Sequence, residues 1–326
     1  MKIRHSGIIE TSGVDYPVFR IPGIVVTKAG TVIVCCECRQ GGDWSVIDIG
    51  MRRSTDHGRT WETRKILRSG RNINTTNNPV MFVDGDVVHV IYFENYKRIF
   101  YRCSTDDGVT WSAEAEISAA AEAFRAAYPW TVLAAGPGHG TALTNGRLIV
   151  PVWLASDPTN IFAHAPSVCT TLCSDDRGKS WQAGQLIAPD FAPSMSEACL
   201  AELPDGTVTV NIRNCSDRHE RIIAMSKTGE GAWYDLRFDR ALPDPQCMAG
   251  MCAYPEGVLF TNCNSRTARQ NLTLRKSTGG MAYQESLPYS KSGGYSDVFY
   301  SARAGTAMLA YETDECRHLR FAEISL

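Results

Sequence analysis

The sequence predicts an all-β fold, a six-bladed β-propeller with Asp-box turns. Three observations predict it. Short apolar runs of strand length alternate with turn residues along nearly the whole chain. A box of the form S-x-D-x-G-x-[ST]-W occurs three times, as STDHGRTW from 54, STDDGVTW from 104 and SDDRGKSW from 174. Weaker copies, SKTGEGAW at 226 and STGGMAY at 277, extend the series at intervals of 50, 70, 52 and 51 residues. Several short strands per period of about fifty residues are the mark of propeller blades, and a chain of 326 residues has room for six.

The elements follow in order. GIVVT, TVIVCCEC, VVHVIYF, RLIVPVW, TVTVNI and GVLFTN read as strands, and the turns AG, DGD, NGR, PDG and PEG between them use residues suited to tight turns. One stretch, residues 112–130 (SAEAEISAAAEAFRAAYPW), reads as helical because it is rich in Ala and Glu, and it falls in the long interval. In each box the Ser and Asp side chains can bond local backbone, the Gly admits positive φ, and the Trp can pack between strands while its N–H finds a partner. D-x-x-G also suggests a calcium loop. The box offers about two carboxylate or hydroxyl ligands where such a loop needs five or more, so a structural turn is the better reading.

Composition bounds the function. The chain is 44% hydrophobic and 21% charged, with 33 basic and 35 acidic residues and a net charge of −2. That is an ordinary globular composition with no overall basic field for nucleic acid or an anionic membrane, and no stretch has the apolar length of a membrane span. The N-terminus lacks an apolar signal core. The twelve cysteines sit mostly in apolar runs such as VIVCCECR, where reduced thiols act as small hydrophobes. A cytoplasmic location with reduced cysteines is the expectation. Cys35 and Cys38 form C-x-x-C inside a strand-like run with no second pair to complete a zinc site, so no metal is expected. GPGHG lacks the Lys-Ser/Thr of a phosphate-binding loop, and no cofactor is implied.

With the boxes as scaffold, a site is expected in the central channel, built by polar residues embedded in strand runs. Arg20, Arg39, Glu197, Arg213, Arg269 and Glu312 are such residues. Several arginines from separate blades suit the grip of one carboxylate, since the guanidinium offers a planar fork and stays charged.

FRIP at 19–22, CRQGGDWSVIDIGMRRSTDHGRTW, GPGHGTALTNGRLIVP, SEACLAELPDGTVTVNIR, RQNLTLRKS, SGGYSDV and LAYE, in that order, resemble the landmarks of the sialidases, exo-glycosidases that release terminal sialic acid. The resemblance covers nearly the whole chain. It implies one catalytic propeller over 1–326 with no appended carbohydrate-binding module, acting on sialylated glycans or free sialosides. It implies that Arg20, Arg213 and Arg269 hold the substrate carboxylate and that Glu312 orients Arg20. Tyr295 would be the nucleophile, Glu197 the base that activates it, and Asp43 the acid/base on the leaving-group oxygen. Arg39 would touch the ring near its 4-hydroxyl. Asn78 stands before Pro79 where an Asp is common in the family.

A tyrosine nucleophile, the known exception to paired carboxylates among glycosidases, suits an anomeric carbon that carries a carboxylate, because a neutral phenol is not repelled by it. The phenol then needs an adjacent base, and Asp43 needs surroundings that raise its pKa. Within the same segments Glu202, beside PDG, fits a solvent-facing turn, and Asp48 a structural partner in its strand. Arg20 as a strand-edge salt bridge and Tyr295 as a core tyrosine are the plain alternatives. Trp130, Met81 and Phe124 are candidates for the N-acyl pocket. Two other functions stay open: the same mechanism on another 2-keto sugar acid, and a non-catalytic glycan-binding propeller. The sequence does not speak to oligomeric state.

Overall fold

The computed structural model describes residues 1–72 and 75–326, arranged as six sheets in a ring. Blade I holds Val18–Val26, Val32–Arg39, Ile47–Ser54 and Lys65–Arg68. Blade II holds Thr76–Asp84, Val87–Glu94, Arg98–Ser104 and Ala115–Glu116, with Gly138–His139 added in parallel to its first strand. Blade III holds Val132–Ala135, Leu148–Ala155, Ser167–Ser174 and Gln182–Ala183, with Thr141–Ala142 beside the second strand. Blade IV holds Met195–Glu202, Val208–Asn214, Glu220–Ser226 and Tyr234–Pro243. Blade V holds Gly250–Tyr254, Gly257–Cys263, Gln270–Ser277 and Tyr283–Ser292. Blade VI joins the two ends of the chain. Ser296–Ser301, Thr306–Thr313 and His318–Ser325 are followed by Lys2–Thr11 as the outer strand, paired from Lys2 with Ser325 to Thr11 with His318. That pairing closes the ring by backbone hydrogen bonds between the first and last strands.

The inner strands are covered on both faces by neighbouring blades. All eight residues of Leu148–Ala155 and of Val32–Arg39 are buried, which is why they read as continuous apolar runs rather than alternating ones. The core clusters bridge adjacent blades. Val25, Ile33 and Met51 of blade I pack with Met81, Val90 and Tyr92 of blade II, and Ile24 and Val34 pack with Ala310 and Phe321 of blade VI.

The boxes are turns at the ends of the third strands. In the first, Ser54 Oγ donates to Asp56 Oδ1 at 2.8 Å and accepts from Gly58 N–H at 2.8 Å, while Asp56 accepts from Thr60 N–H at 2.9 Å and Thr60 Oγ1 at 2.6 Å. Ser104 with Asp106 and Ser174 with Asp176 repeat the pattern. The box glycine also seats each blade on the one before it. A Cβ on Gly58 would lie 2.3 Å from the Phe321 ring of blade VI, and one on Gly108 would lie 2.7 Å from Ile33 of blade I. Both glycines have φ of +79°, so neither the conformation nor the space admits a side chain. The indole rings do pack, Trp61 edge-on to Phe321 at 5.6 Å, but the expected partner for the N–H is missing. The indole nitrogens of Trp61, Trp111 and Trp181 are buried with no hydrogen bond within the protein.

The Ala/Glu-rich segment is not the helix its composition suggests. It forms one turn of α-helix, Ala119–Glu122, and one 3₁₀ turn, Ala123–Ala126. Ala115–Glu116 pair as an edge strand and Pro129 stops the far end, so too few residues remain to offset helix nucleation. All twelve cysteines are free thiols, nine of them buried.

Candidate active site

Third strands end at the boxes, so they begin at the opposite face of the ring, where first strands begin and second strands end. That face gathers the single-copy polar residues. Arg20, Asn78 and Glu197 lie near the starts of first strands, and Tyr295 directly precedes one. Arg39, Arg213 and Glu312 lie at or near the ends of second strands, and Arg269 precedes a third strand. Three of the first strands break register there, between Arg20 and Gly23, Asn77 and Val80, and Met195 and Ala198. Such bulges re-aim side chains toward the ring axis. Two carry non-glycine residues with positive φ, Ile21 at 57° and Asn78 at 49°.

The floor of the pocket is the Tyr295 phenol. It donates a short hydrogen bond to Glu197 Oε1 and accepts from Arg213 Nη1 at 3.0 Å, and the same Nη1 donates to Glu197 Oε2 at 2.5 Å. The guanidinium carbons of Arg20 and Arg269 stand 4.9 and 5.1 Å from the centre of the Tyr295 ring. Burial pushes the phenol well above its ordinary pKa and the Glu197 charge adds to that, against the pull of the three arginines. The phenol is therefore protonated in the free protein and needs a base to react.

Glu312, fully buried, accepts three N–H hydrogen bonds and a fourth, longer one from the Cys316 thiol at 3.6 Å. Its Oε1 accepts from Arg20 Nε at 2.7 Å and from Ile21 N–H at 2.9 Å, and its Oε2 accepts from Tyr295 N–H at 2.9 Å. Burial disfavours its charge, but Arg20 outweighs it and holds the carboxyl below its ordinary pKa.

A second group lies across the pocket. Arg39 donates from Nε to Glu37 Oε2 at 2.5 Å and from Nη1 to Asp43 Oδ1 at 2.6 Å. Glu37 is fully buried, and its Oε1 accepts the Asn78 N–H at 2.7 Å. Asn78 Nδ2 donates to the Ala135 carbonyl at 3.0 Å. The wall between these groups is formed by Tyr96, Trp153 and His164. The His164 ring centre lies 5.0 Å from that of Tyr96 and 5.1 Å from that of Trp153.

All nine sequence-predicted site residues sit on this face. Tyr295, Glu197, Arg20, Arg213, Arg269, Arg39, Asp43 and Asn78 line one cavity of about 210 Å³, and Glu312 lies behind it, bonded to Arg20. Asp48 is a structural partner, bonded by Tyr16, Ser69 and Gly70 N–H, and Glu202 accepts from Thr144 in a turn.

Two expectations need correction. Asp43 is not raised. Burial pushes it up, but the Arg39 charge and hydrogen bond pull harder, and its pKa lies below the ordinary carboxylate value. Trp130, Met81 and Phe124 are core residues, each 3% exposed or less, and Trp130 lies under the Arg125 guanidinium at 3.7 Å. They are absent from the cavity wall, where Tyr96, Trp153 and His164 stand instead. Those three and Glu37 escaped the sequence reading. Glu37 had a signal, a charge in the apolar run CCECR. Tyr96 and His164 lie in connecting segments where nothing in the pattern marks them.

The family model described as "BNR repeat-like domain" matches residues 30–305. A sialidase of Bacteroides fragilis (strain YCH46) is 26% identical over 321 residues, covering 85% of this chain and 55% of the relative. A sialidase of Micromonospora viridifaciens is 28% identical over 308 residues, covering 80% of this chain and 44% of the relative. The chain thus spans about half the length of these curated relatives. Among solved structures, the Hadza microbial sialidase Hz136 superposes with a TM-score of 0.82 at 25% identity, over 99% of this chain and 69% of that one. The intramolecular trans-sialidase of Ruminococcus gnavus, in complex with oseltamivir carboxylate, shares the fold at a TM-score of 0.77 and 17% identity, over 100% and 98% of the two chains.

Proposed function

This chain belongs to the sialidase family with BNR repeats, and we propose that it is a retaining exo-α-sialidase that acts on sialylated glycans through a tyrosyl-enzyme intermediate. The observation that carries the reading is the Tyr295 phenol, bonded to Glu197 beneath Arg20, Arg213 and Arg269. Three arginines on one wall call for an anionic substrate, and a neutral nucleophile beside them tolerates one. A small polar cavity fits one terminal sugar rather than the interior of a chain.

In this scheme the arginines hold the carboxylate on the anomeric carbon and so orient the ring over the phenol. The phenol oxygen attacks that carbon as its proton passes to Glu197, and Asp43 protonates the departing glycosidic oxygen. Water then attacks the same carbon, giving its proton to Asp43, while the phenol leaves and recovers its proton from Glu197. Two displacements give net retention. Asp43 is paired to Arg39 in the free protein, so it has to gain a proton as substrate binds. An entering carboxylate acts in that direction, both by its charge and by excluding water from a side chain that is 49% exposed.

The free thiols support a reducing, cytoplasmic location. The test of the activity is turnover of an aryl α-sialoside from pH 4 to 8, with the released sugar followed by NMR. Release of the α-anomer first is expected. No release by the wild type at any pH overturns the proposal.

A further inference from the structure

Two buried carboxylates in this site are built alike. Glu312 accepts an arginine Nε (Arg20) and the N–H of a left-handed residue (Ile21), and Glu37 accepts an arginine Nε (Arg39) and the N–H of a left-handed residue (Asn78). Both are 0% exposed, so neither touches substrate. A fully buried charge is costly unless its partners are fixed, and a non-glycine residue in the left-handed region is strained. For Glu312 the pairing outweighs the cost of burial, whereas burial still holds the Glu37 carboxyl above its ordinary pKa against the pull of Arg39; each holds an arginine against the cavity.

The Glu37 device also differs from the Glu312 device in what its arginine holds. Arg39 is also bonded to Asp43, so a single guanidinium is shared between a buried carboxylate and the half-exposed one that faces the substrate. Asp43 has no other side-chain partner within hydrogen-bond distance among the described residues; the Arg20 charge is further off, and burial disfavours a charge on nearby His164. How firmly Arg39 holds Asp43 as a carboxylate therefore depends on how much of the Arg39 charge Glu37 already neutralises.

We propose that Glu37 is a positioning residue that governs proton donation by Asp43 through Arg39, while fixing Asn78 on the same edge of the sugar pocket. The inference rests on the proposed glycosidase reading. With Glu37 in place, Arg39 keeps a partner when Asp43 turns to the glycosidic oxygen and takes up its proton. Without that carboxylate, Asp43 is the sole anion on Arg39 and gives up its ion pair only at greater cost. The loss falls on substrates whose leaving group needs a proton. A nitrophenolate departs without one.

The experiment compares Glu37→Gln with wild type on 4-nitrophenyl α-sialoside and on an α-sialyl galactoside, with thermal melts as the folding control. The expected result is a kcat/KM for the galactoside that falls at least about tenfold more than that for the aryl sialoside, with partial recovery of the galactoside rate in Glu37→Asp. Equal losses on the two substrates overturn the proposal, since a merely structural role lowers both alike. Should the Gln variant fail to fold, Glu37→Asp against wild type is expected to move the ratio in the same direction by a smaller factor, and an unchanged ratio again overturns it. Wild-type turnover of the aryl sialoside tests the glycosidase reading separately: its absence removes that reading, whereas a flat ratio removes only the role of Glu37.

Discussion

Tyr295, just before the first strand of blade VI, and Glu197, in the first strand of blade IV, are 98 residues apart and meet in the central pocket, the buried phenol donating to Oε1 of the carboxylate. Arg213 closes the triangle by donating to both from one nitrogen. A buried Glu–Arg pair by itself is ordinary. A phenol held at its apex, with two further guanidiniums against its ring, is the arrangement on which the proposed reaction rests.

Removing the phenol oxygen tests that arrangement. Tyr295→Phe keeps the Glu197–Arg213 pair and the ring, so the melting temperature is expected to move by only a few degrees. Turnover is expected to fall at least about 100-fold. Steady-state assays on an aryl sialoside beside a thermal melt check both, and full activity in the Phe variant rules out Tyr295 as nucleophile.

In the proposed scheme Glu312 acts through Arg20. Glu312→Gln leaves one oxygen to accept and removes the charge that holds Arg20 Nε. A hydrogen bond to a charged group contributes about 1.5–3 kcal/mol, so binding of substrate or of a carboxylate-bearing inhibitor is expected to weaken about 10- to 100-fold. Calorimetric titration with the free sugar acid measures it. Unchanged affinity means that Arg20 is held by its other contacts.

The box carboxylates give a pH signature. Thr110 and Ser104 hold Asp106 at about 2, and Asp176 is likewise held at about 2 by Ser180 and Ser174. A carboxyl whose folded pKa is depressed stabilises the fold above its unfolded pKa of about 3.9, and that contribution is lost as pH falls through the folded value. Asp106→Asn is therefore expected to lower the melting temperature at pH 6, with the difference from wild type shrinking between pH 4 and pH 2. A difference constant across that window means the Asp106 charge is not what the turn uses.

A fully buried ion pair ties blade IV to the segment leading into blade V. Arg221 donates to Asp244 at 3.3 Å, to Asn211 Oδ1 at 2.7 Å and to the Cys247 carbonyl at 2.7 Å. Removing one partner strands the other charge, and Asp244→Ala is expected to cost about 3–5 kcal/mol of stability. Urea denaturation at pH 7 reads the change. A loss under about 1 kcal/mol would show that the amide and carbonyl satisfy Arg221 without the carboxylate.

The periodic part of this protein was legible because it is local. Ser54, Asp56, Gly58 and Thr60 make their turn within seven residues, so the pattern survives in the sequence three times over. The inner strands were legible because burial on both faces leaves continuous apolar runs, in which Arg39, Glu197 and Arg213 stand out as charges. The same criterion reaches Glu37 in CCECR. The segment from 112 to 130 misled because local propensity is a weak prior: an edge position on blade II took part of it and a proline ended the rest.

By itself the sequence determined the number of blades, the strands that build them and the identity of the single-copy polar residues on their ends. Only the tertiary structure decided how those residues share charge. Asp43, Arg39 and Glu37 are neighbours within blade I, but the burial of Glu37 and its bond from Asn78 N–H come from blade II, and Tyr96, Trp153 and His164 wall the cavity from blades II and III. Proton affinity depends on burial as well as on near neighbours, and pocket shape on distances of a few ångströms between residues far apart in the chain; both exist only once the blades have packed.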